Sequence, residues 1–217
     1  MKGKKIIDFL ITLVAVTVAT FLFGVAVNCY ITAGLGSDSV SVFQQGISHS
    51  LTALVQKINP DLSVSMGIAA YIYMAIVFII DLFISRENIG WTTVLNALML
   101  GTFIDLVGKW FKGFYTLTDA LYFRMILLAM GILLVATSCV ILIRLNKGKN
   151  ALDAVAWGLT NRLKWPYRLV RICVDGILMG IGWLLGGKVG LGSIAAVFLT
   201  GPVIQLFLSI LSKKEKR

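Results

Sequence analysis

Long apolar runs, separated by short polar or glycine-rich stretches, occupy most of the 217-residue chain. The first run is the clearest, since positions 9–37 contain no charged side chain. A helix needs about 20 apolar residues to cross a bilayer, and six of the runs are close to that length. Together with two shorter segments they predict eight helices, at about 6–31, 40–58, 64–84, 90–110, 121–145, 151–163, 167–185 and 190–211.

The second and sixth segments differ from the others in polarity and length. The second carries Gln44, Gln45 and His49. The sixth has 13 residues, which gives about 20 Å of helix, short of a hydrocarbon core of about 30 Å. We therefore predict an all-α membrane protein, a polytopic helix bundle with six full spans and two short polar helices that enter the interior from opposite faces.

The second half of the chain resembles the first. Gly90 and Gly101 recur as Gly190 and Gly201 at an offset of 100. The spacing from Ser41 to Gly46 recurs from position 153 to 158 at an offset of 112, and the difference between the offsets falls in the loop after the second helix. Glycine and leucine also align easily by chance. We predict a duplication, with repeats at about 6–112 and 120–212 inside a single transmembrane domain covering 1–217.

The distribution of basic residues orients the bundle. Cytoplasmic loops of membrane proteins are enriched in Lys and Arg. With six spans and inverted repeats, five basic residues lie outside, namely Lys57, Lys109, Lys112, Arg124 and Lys188; with eight spans and parallel repeats, the number outside is again five. The remaining ones, three times as many, then lie inside with both termini. The rule does not choose between the two topologies, but the length and polarity of the short helices favour inverted repeats.

Composition agrees with an integral membrane protein. The chain is 58% hydrophobic and 14% charged, with a mean hydropathy of +0.90, whereas soluble domains carry about 25% charged residues. The net charge of +10 comes from residues that flank apolar runs, so no nucleic-acid partner is expected. We expect a multi-pass protein of the bacterial inner (plasma) membrane, with the lipid bilayer and a small solute as partners; a homo-oligomer is compatible with the sequence. The first apolar run exceeds the 7–15 residues of a signal-peptide core, so we expect it to be retained as a helix.

Acidic residues inside apolar segments are the candidates for function, because ionisable groups in membrane helices are costly and face a protein interior or a wet cavity. The two repeats place Asp153 opposite Ser41 and Asp105 opposite Gln205. We predict that these four residues converge near the two-fold axis together with Gln45 of the second helix, and that they bind the solute. The predicted site is Ser41, Gln45, Asp105, Asp153 and Gln205.

Structural roles compete with this prediction for each acid. Asp175 lies one helical turn after Arg171, and Asp105 one turn before Lys109, so each can form an ion pair along its own helix. Asp153 falls in the first turn of the sixth helix, where a carboxylate caps free backbone N–H groups.

Motifs of soluble enzymes are missing from the sequence. It contains no HExxH, GxSxG, CxxC or phosphate-binding GxxxxGK[ST] pattern. Its three cysteines are far apart, and its only histidine has no second histidine for a metal site. We therefore expect no catalytic residues, no metal site, no cofactor and no enzymatic activity.

The repeated glycine motifs resemble those of the YczE/YyaS/YitT family of bacterial membrane proteins. The matching segments are positions 41–48, 90–93, 101–105, 153–160, 190–193 and 201–205. Ser41 stands where the resemblance leads us to expect an acid, and Gln205 replaces a second acid, so the acidic pattern is not two-fold. The resemblance implies a polytopic membrane protein and, less directly, transport.

We expect a secondary transporter or permeation protein for a small solute, because inverted repeats with short helices place solute sites at the repeat interface. One alternative is a substrate-binding subunit of an energy-coupling-factor importer, for which Ala15 and Ala19 would supply a small-residue docking face. Another is a non-transporting membrane scaffold or regulator, which predicts a dry interface between the halves.

Overall fold

The computed structural model of this chain describes residues 2–112, 120–145, 147 and 150–215. Within these ranges the fold is all-helical, with eight α-helices and one 3-10 turn at Arg86–Asn88. The helices are α1 (Lys2–Ala33), α2 (Ser39–Val55), α3 (Met66–Ile84), α4 (Trp91–Phe111), α5 (Leu121–Leu145), α6 (Ala151–Leu163), α7 (Tyr167–Leu184) and α8 (Leu191–Glu215). The predicted number and order of helices are therefore confirmed for the described residues.

The helix ends differ from the predicted bounds by a few residues. α2 stops at Val55, three residues before the predicted end, and turns continue to Ile58. α3 starts at Met66 because the Ser65 hydroxyl accepts a hydrogen bond from the Ile68 amide and caps its N-terminus. α8 runs on through Pro202, which removes one backbone donor without ending the helix.

α1 forms the centre of the bundle and packs against α4 and α5. Buried polar side chains connect these helices: Thr20 donates to Asn96 Oδ1 at 2.8 Å, and Asn28 Nδ2 donates to the Ile104 carbonyl at 2.9 Å. On the other side, the Ser138 hydroxyl donates to the Ala19 carbonyl at 2.8 Å. Such bonds hold membrane helices together where hydrophobicity gives no preference for protein over lipid. Asn28 and Asn96 therefore both form hydrogen bonds between helices.

The short helices pack against long helices of the opposite half, α2 on α7 and α6 on α3. Glycines allow this approach. A Cβ atom on Gly46 of α2 would lie 2.5 Å from the Gly182 carbonyl oxygen, and one on Gly158 of α6 would lie 2.6 Å from Cβ of Ser85. Larger residues at either glycine would therefore separate the helices.

Irregular backbone leads from α1 into α2. Gly36 has φ +103°, a conformation that other residues rarely adopt. A Cβ atom there would lie 2.5 Å from Ser193 Oγ at the start of α8, and the same hydroxyl accepts a hydrogen bond from the Ser37 amide at 3.0 Å. The turn before α2 is thus fixed against the N-terminus of α8.

Five helices, α1, α3, α4, α5 and α8, are long and apolar enough to cross a membrane by length and composition. α7 was predicted as a sixth span, but its 18 residues include Arg168, Arg171 and Asp175, so it is not apolar enough by the same measure. The chain is an all-helical protein with several candidate spans, and the count of six full spans stays a prediction.

Candidate functional site

An ion pair connects the short helix α6 to α7. Arg171 Nη1 contacts Asp153 Oδ1, and the Tyr167 hydroxyl donates to the same oxygen at 2.8 Å. The Arg171 side chain is 28% exposed and that of Asp153 16%. Asp153 lies in the first turn of α6, where the helix N-terminus also favours a negative charge. The acid therefore has a tertiary cation as well as the local environment that its position predicts.

A second carboxylate extends this pair to α2. Arg171 Nε contacts Asp175 Oδ2 at 2.9 Å, one turn further along α7, and the Ser39 hydroxyl donates to Asp175 Oδ1 at 2.6 Å. Ser39 is the first residue of α2. The predicted pairing of Arg171 with Asp175 is confirmed. We call this set the Arg171 network: Ser39, Asp153, Tyr167, Arg171 and Asp175.

The Arg171 network joins the starts of both short helices through one guanidinium group. α3 borders the same region, since it packs against both short helices. Trp157 stacks on Tyr167 with ring centroids 4.9 Å apart. One cation faces two carboxylates, so the network carries a net negative charge when both acids are ionised. If the contact between Arg171 and Asp153 opened, a cationic group of a solute could bind Asp153, or an anionic group could bind Arg171.

Polar side chains without partners lie on the first two turns of α2. Ser41 and Gln44 are fully buried, and the Ser41 hydroxyl and both amide atoms of Gln44 make no hydrogen bond. Asp38, directly before the helix, is partly buried, but its Oδ1 atom is enclosed and also has no hydrogen-bond partner. Buried polar groups are nearly always hydrogen-bonded, so three such residues on one helix start are unusual.

Two of the predicted site residues belong to this region and a third lies at the far side of α2. Asp153 is part of the Arg171 network, and Ser41 follows Ser39 on the same helix. Gln45 instead connects loops, because its Nε2 donates to Ser37 Oγ at 3.3 Å and its Oε1 accepts from the Lys188 amide at 3.2 Å.

The other two predicted residues lie on different helices. Asp105 of α4 accepts hydrogen bonds from Ser65 Oγ at 2.6 Å and from the Gly67 amide at 2.8 Å, and therefore stabilises the start of α3. Gln205 lies on the exposed side of α8. No contact between described residues joins Asp105 to the Arg171 network.

Sequence reasoning did not single out Ser39, Asp38 or Tyr167. Ser39 and Asp38 look like ordinary helix-capping residues, and Tyr167 follows a proline at the start of an apolar run. The one available signal was the cluster of Asp38, Ser39 and Ser41 between a glycine turn and an apolar helix. As for metals, no group of three or more His, Cys, Asp or Glu side chains is placed to hold an ion within the described ranges.

The fold and the site define a class of protein: a helical, multi-pass membrane protein in which a mostly buried charged network links the starts of two short helices. Residues 10–209 match the model of a family of unknown function, DUF6198. Because the match covers most of the chain, this protein belongs to that family.

Two relatives extend the comparison. An uncharacterized protein of Haemophilus influenzae is 27% identical over 195 residues, which are 90% of this chain and 82% of the relative. The uncharacterized membrane protein YczE of Bacillus subtilis is 24% identical over 115 residues, 53% of this chain and 52% of that protein. The expected resemblance to YczE-like membrane proteins is confirmed. No solved structure matches the chain.

Proposed function

We propose that this protein is a secondary transporter or permeation protein for a small polar solute, with its site at the Arg171 network between two inverted repeats. The observation that carries the proposal is the network itself. A mostly buried Arg171 bridges Asp153, at the start of α6, and Asp175 of α7. Asp175 in turn accepts a hydrogen bond from Ser39 at the start of α2. Ionisable groups inside membrane helices are costly and rare, and by default they indicate a solute or ion pathway.

Matched contacts in the two halves support the duplication. The Gly90 amide donates to Thr93 Oγ1 at 3.3 Å, and the Gly190 amide donates to Ser193 Oγ at 3.3 Å. These two turns start α4 and α8, 100 positions apart. Since the same backbone conformation and the same side-chain bond recur, similarity of apolar composition alone does not account for the match.

The short helices also have equivalent partners. Ser50 of α2 donates to the Leu185 carbonyl at 2.9 Å, just after the end of α7, and Arg162 of α6 donates to the Phe83 carbonyl near the end of α3. Positions 50 and 162 are 112 apart, as the sequence alignment of the short helices requires. α1 packs on α5, α4 packs on α1, and α8 packs on α5, as expected for two copies of one four-helix unit.

Inversion of these repeats follows if α7 crosses the membrane despite its charges. Each repeat then has three spans, an odd number, so the second copy has the opposite orientation. Two of the charged residues of α7, Arg171 and Asp175, belong to the Arg171 network and are paired, which lowers the cost of placing that helix in the bilayer. Both termini then lie on the cytoplasmic side of a bacterial plasma membrane.

The importer-subunit alternative has less support from the packing of α1. Ala19, half of its proposed docking face, is fully buried and packs in a cluster with Leu142 of α5. That face is therefore occupied within the chain. The scaffold alternative leaves the unpartnered groups of Ser41 and Gln44 without a role.

The test is transport by purified protein in proteoliposomes. A panel of amino acids, small amines, organic acids and inorganic ions should contain at least one solute that the protein moves. Asp153→Asn should abolish that flux, whereas Asp61→Asn, which changes an exposed loop acid, should leave it unchanged. Equal flux in the wild type and Asp153→Asn would contradict the proposed site, and no flux of any solute would contradict the proposed function.

A further inference from the structure

We propose that the start of α2 is a binding site for a monovalent cation, formed by the carboxylate of Asp38, the hydroxyl of Ser41 and the side-chain carbonyl of Gln44. This inference deepens the proposed function, because it supplies the ion whose gradient would drive solute movement. Successive members of the set are three positions apart, so Ser41 neighbours both Asp38 and Gln44 along the start of the helix.

The carboxylate of Asp38 has no counterion among the described residues. Arg171, the cation of this region, contacts Asp153 and Asp175 instead. A like charge lies nearby, since Asp175 accepts a hydrogen bond at 2.6 Å from Ser39, the residue after Asp38. An enclosed carboxylate oxygen beside another acid needs a positive charge or a proton.

Ser41 and Gln44 provide the second, independent observation. Both side chains are fully buried, and their polar atoms have no hydrogen-bond partner. The Tyr30 hydroxyl of α1 is also enclosed without a hydrogen-bond partner. The unpartnered oxygen atoms of Ser41 and Gln44 thus follow Asp38 along the first turns of α2.

A bound water explains only part of this arrangement. Water could bond to Ser41 and Gln44, but it would leave the charge of Asp38 uncompensated next to Asp175. A proton on Asp38 would remove the charge but would leave the amide of Gln44 without partners. A cation compensates the charge and is coordinated by the neutral oxygens, and a water in its hydration shell can accept from the Gln44 amide nitrogen.

The charge balance favours a cation over an anion. Asp38, Asp153 and Asp175 carry three negative charges when ionised, and Arg171 carries one positive charge, which leaves two negative charges. The positive end of the α2 dipole is equivalent to about half a charge and does not reverse this sign.

The ligand set favours a monovalent ion. Hard oxygen ligands suit alkali and alkaline-earth ions, but protein sites for Ca²⁺ or Mg²⁺ generally use more than one carboxylate. Asp38 is the single acid of this set. The irregular backbone at Gly34 and Gly36, both with positive φ, precedes the site, and unwound backbone beside a short helix is where transporters coordinate Na⁺.

Binding of ²²Na⁺ to purified full-length protein in detergent tests this site, with choline chloride as the inert replacement salt. The wild type should bind ²²Na⁺ saturably, and its unfolding temperature should rise with NaCl at constant ionic strength. Asp38→Asn should lose both effects, and Asp61→Asn should keep both. Ser41→Ala should weaken Na⁺ affinity by about tenfold, as expected for one lost contact to a charge.

Stability in choline separates a cation site from a structural role. Asp38→Asn should unfold at a higher temperature than the wild type in choline, because it removes an unpaired charge, and at a lower temperature in saturating Na⁺. A helix cap, in contrast, would make the variant less stable in both salts. If Asp38→Asn does not fold, Ser41→Ala and Gln44→Leu decide, since both must lower Na⁺ affinity.

Three results would overturn the cation site. They are absence of saturable Na⁺ binding to the wild type, unchanged affinity in the Asp38 and Ser41 variants, and a stability that follows pH but not Na⁺. Binding does not require transport, so Na⁺ binding without solute flux would contradict only the proposed function. Flux that is independent of Na⁺ and unaffected by Asp38→Asn would contradict only the cation site.

Discussion

Replacing Arg171 by glutamine should destabilise the protein more than any change to an exposed charge. The substitution removes the guanidinium and leaves Asp153 and Asp175 near each other without a cation. The three side chains are 28%, 16% and 13% exposed, so water screens the remaining repulsion poorly. Breaking a buried ion pair by removing one partner costs about 3–5 kcal/mol, whereas an exposed pair contributes about 0.2–1 kcal/mol.

The lower end of the first range applies here. Tyr167 and Ser39 still donate hydrogen bonds to the two carboxylates, and each acid keeps some contact with solvent. We therefore expect Arg171→Gln to lower the free energy of unfolding by about 3 kcal/mol. Arg86→Gln, which changes an exposed side chain after α3, should change it by less than about 0.5 kcal/mol.

The assay is reversible unfolding of the purified protein by SDS in mixed detergent micelles. Asp153→Asn should rescue part of the Arg171→Gln defect, since the double variant has one acid fewer without a counterion. The double-mutant cycle should give a coupling energy of about 1–3 kcal/mol between the two positions. A loss below about 1 kcal/mol for Arg171→Gln, or additive effects in the cycle, would refute the idea that this pair is buried and structural to the site.

Three further predictions concern a close glycine contact, the turn before α2 and the exposure of the cysteines. Gly101→Leu should lower the free energy of unfolding by about 1–3 kcal/mol in the SDS assay, because a Cβ atom there would lie 2.5 Å from the Gly67 carbonyl oxygen. Gly201 is the equivalent residue of the second repeat, and a Cβ atom there would meet nothing within 4 Å, so Gly201→Leu should be tolerated. Gly36→Ala should cost about 1–3 kcal/mol from its positive φ alone, and equal stability of wild type and variant would contradict the turn before α2. A membrane-permeant maleimide should label Cys173 and leave the two buried cysteines unmodified, as read by mass spectrometry.

Much of the fold was predictable because membrane helices are encoded by local composition. The run from α1 contains no charge, so its helical, membrane-buried character follows from positions 9–37 alone. The short length of α6 was also visible, since Asn150 and Pro166 bound it. α7 was harder, because its three charged residues hide an otherwise apolar segment and the ion pair of Arg171 with Asp153 depends on another helix.

The site was less predictable because its contacts are tertiary. Asp153 has no cation one turn away on α6, and its partner Arg171 comes from the next helix. For Asp105 the sequence suggested Lys109 as a structural partner, but its bonds go to Ser65 and Gly67 of a neighbouring segment. Spacing along one helix identifies pairs such as Arg171 and Asp175, whereas pairs across helices need the packing.

If the Arg171 network binds a solute as proposed, the helices must move before the solute reaches the start of α2. Ser39 is 3% exposed and Ser41 is fully buried, so this conformation closes the start of α2 to bulk water. In transporters built from inverted repeats, one unit rocks against the other and opens the site to each side in turn. The close glycine contacts of α2 with α7 and of α6 with α3 are the surfaces that would separate.

Cysteine accessibility at position 39 tests this account most directly, because it needs no knowledge of the solute. Ser39→Cys is made in a background with the three native cysteines replaced by serine, with Asp61→Cys as an accessible control and Val16→Cys as a buried one. A membrane-impermeant thiol reagent is applied to vesicles of each orientation. The account predicts that the cysteine at position 39 reacts with the reagent in vesicles of either orientation, at a lower rate than the cysteine at position 61. Complete protection from both faces, as at position 16, would contradict a site that opens to water.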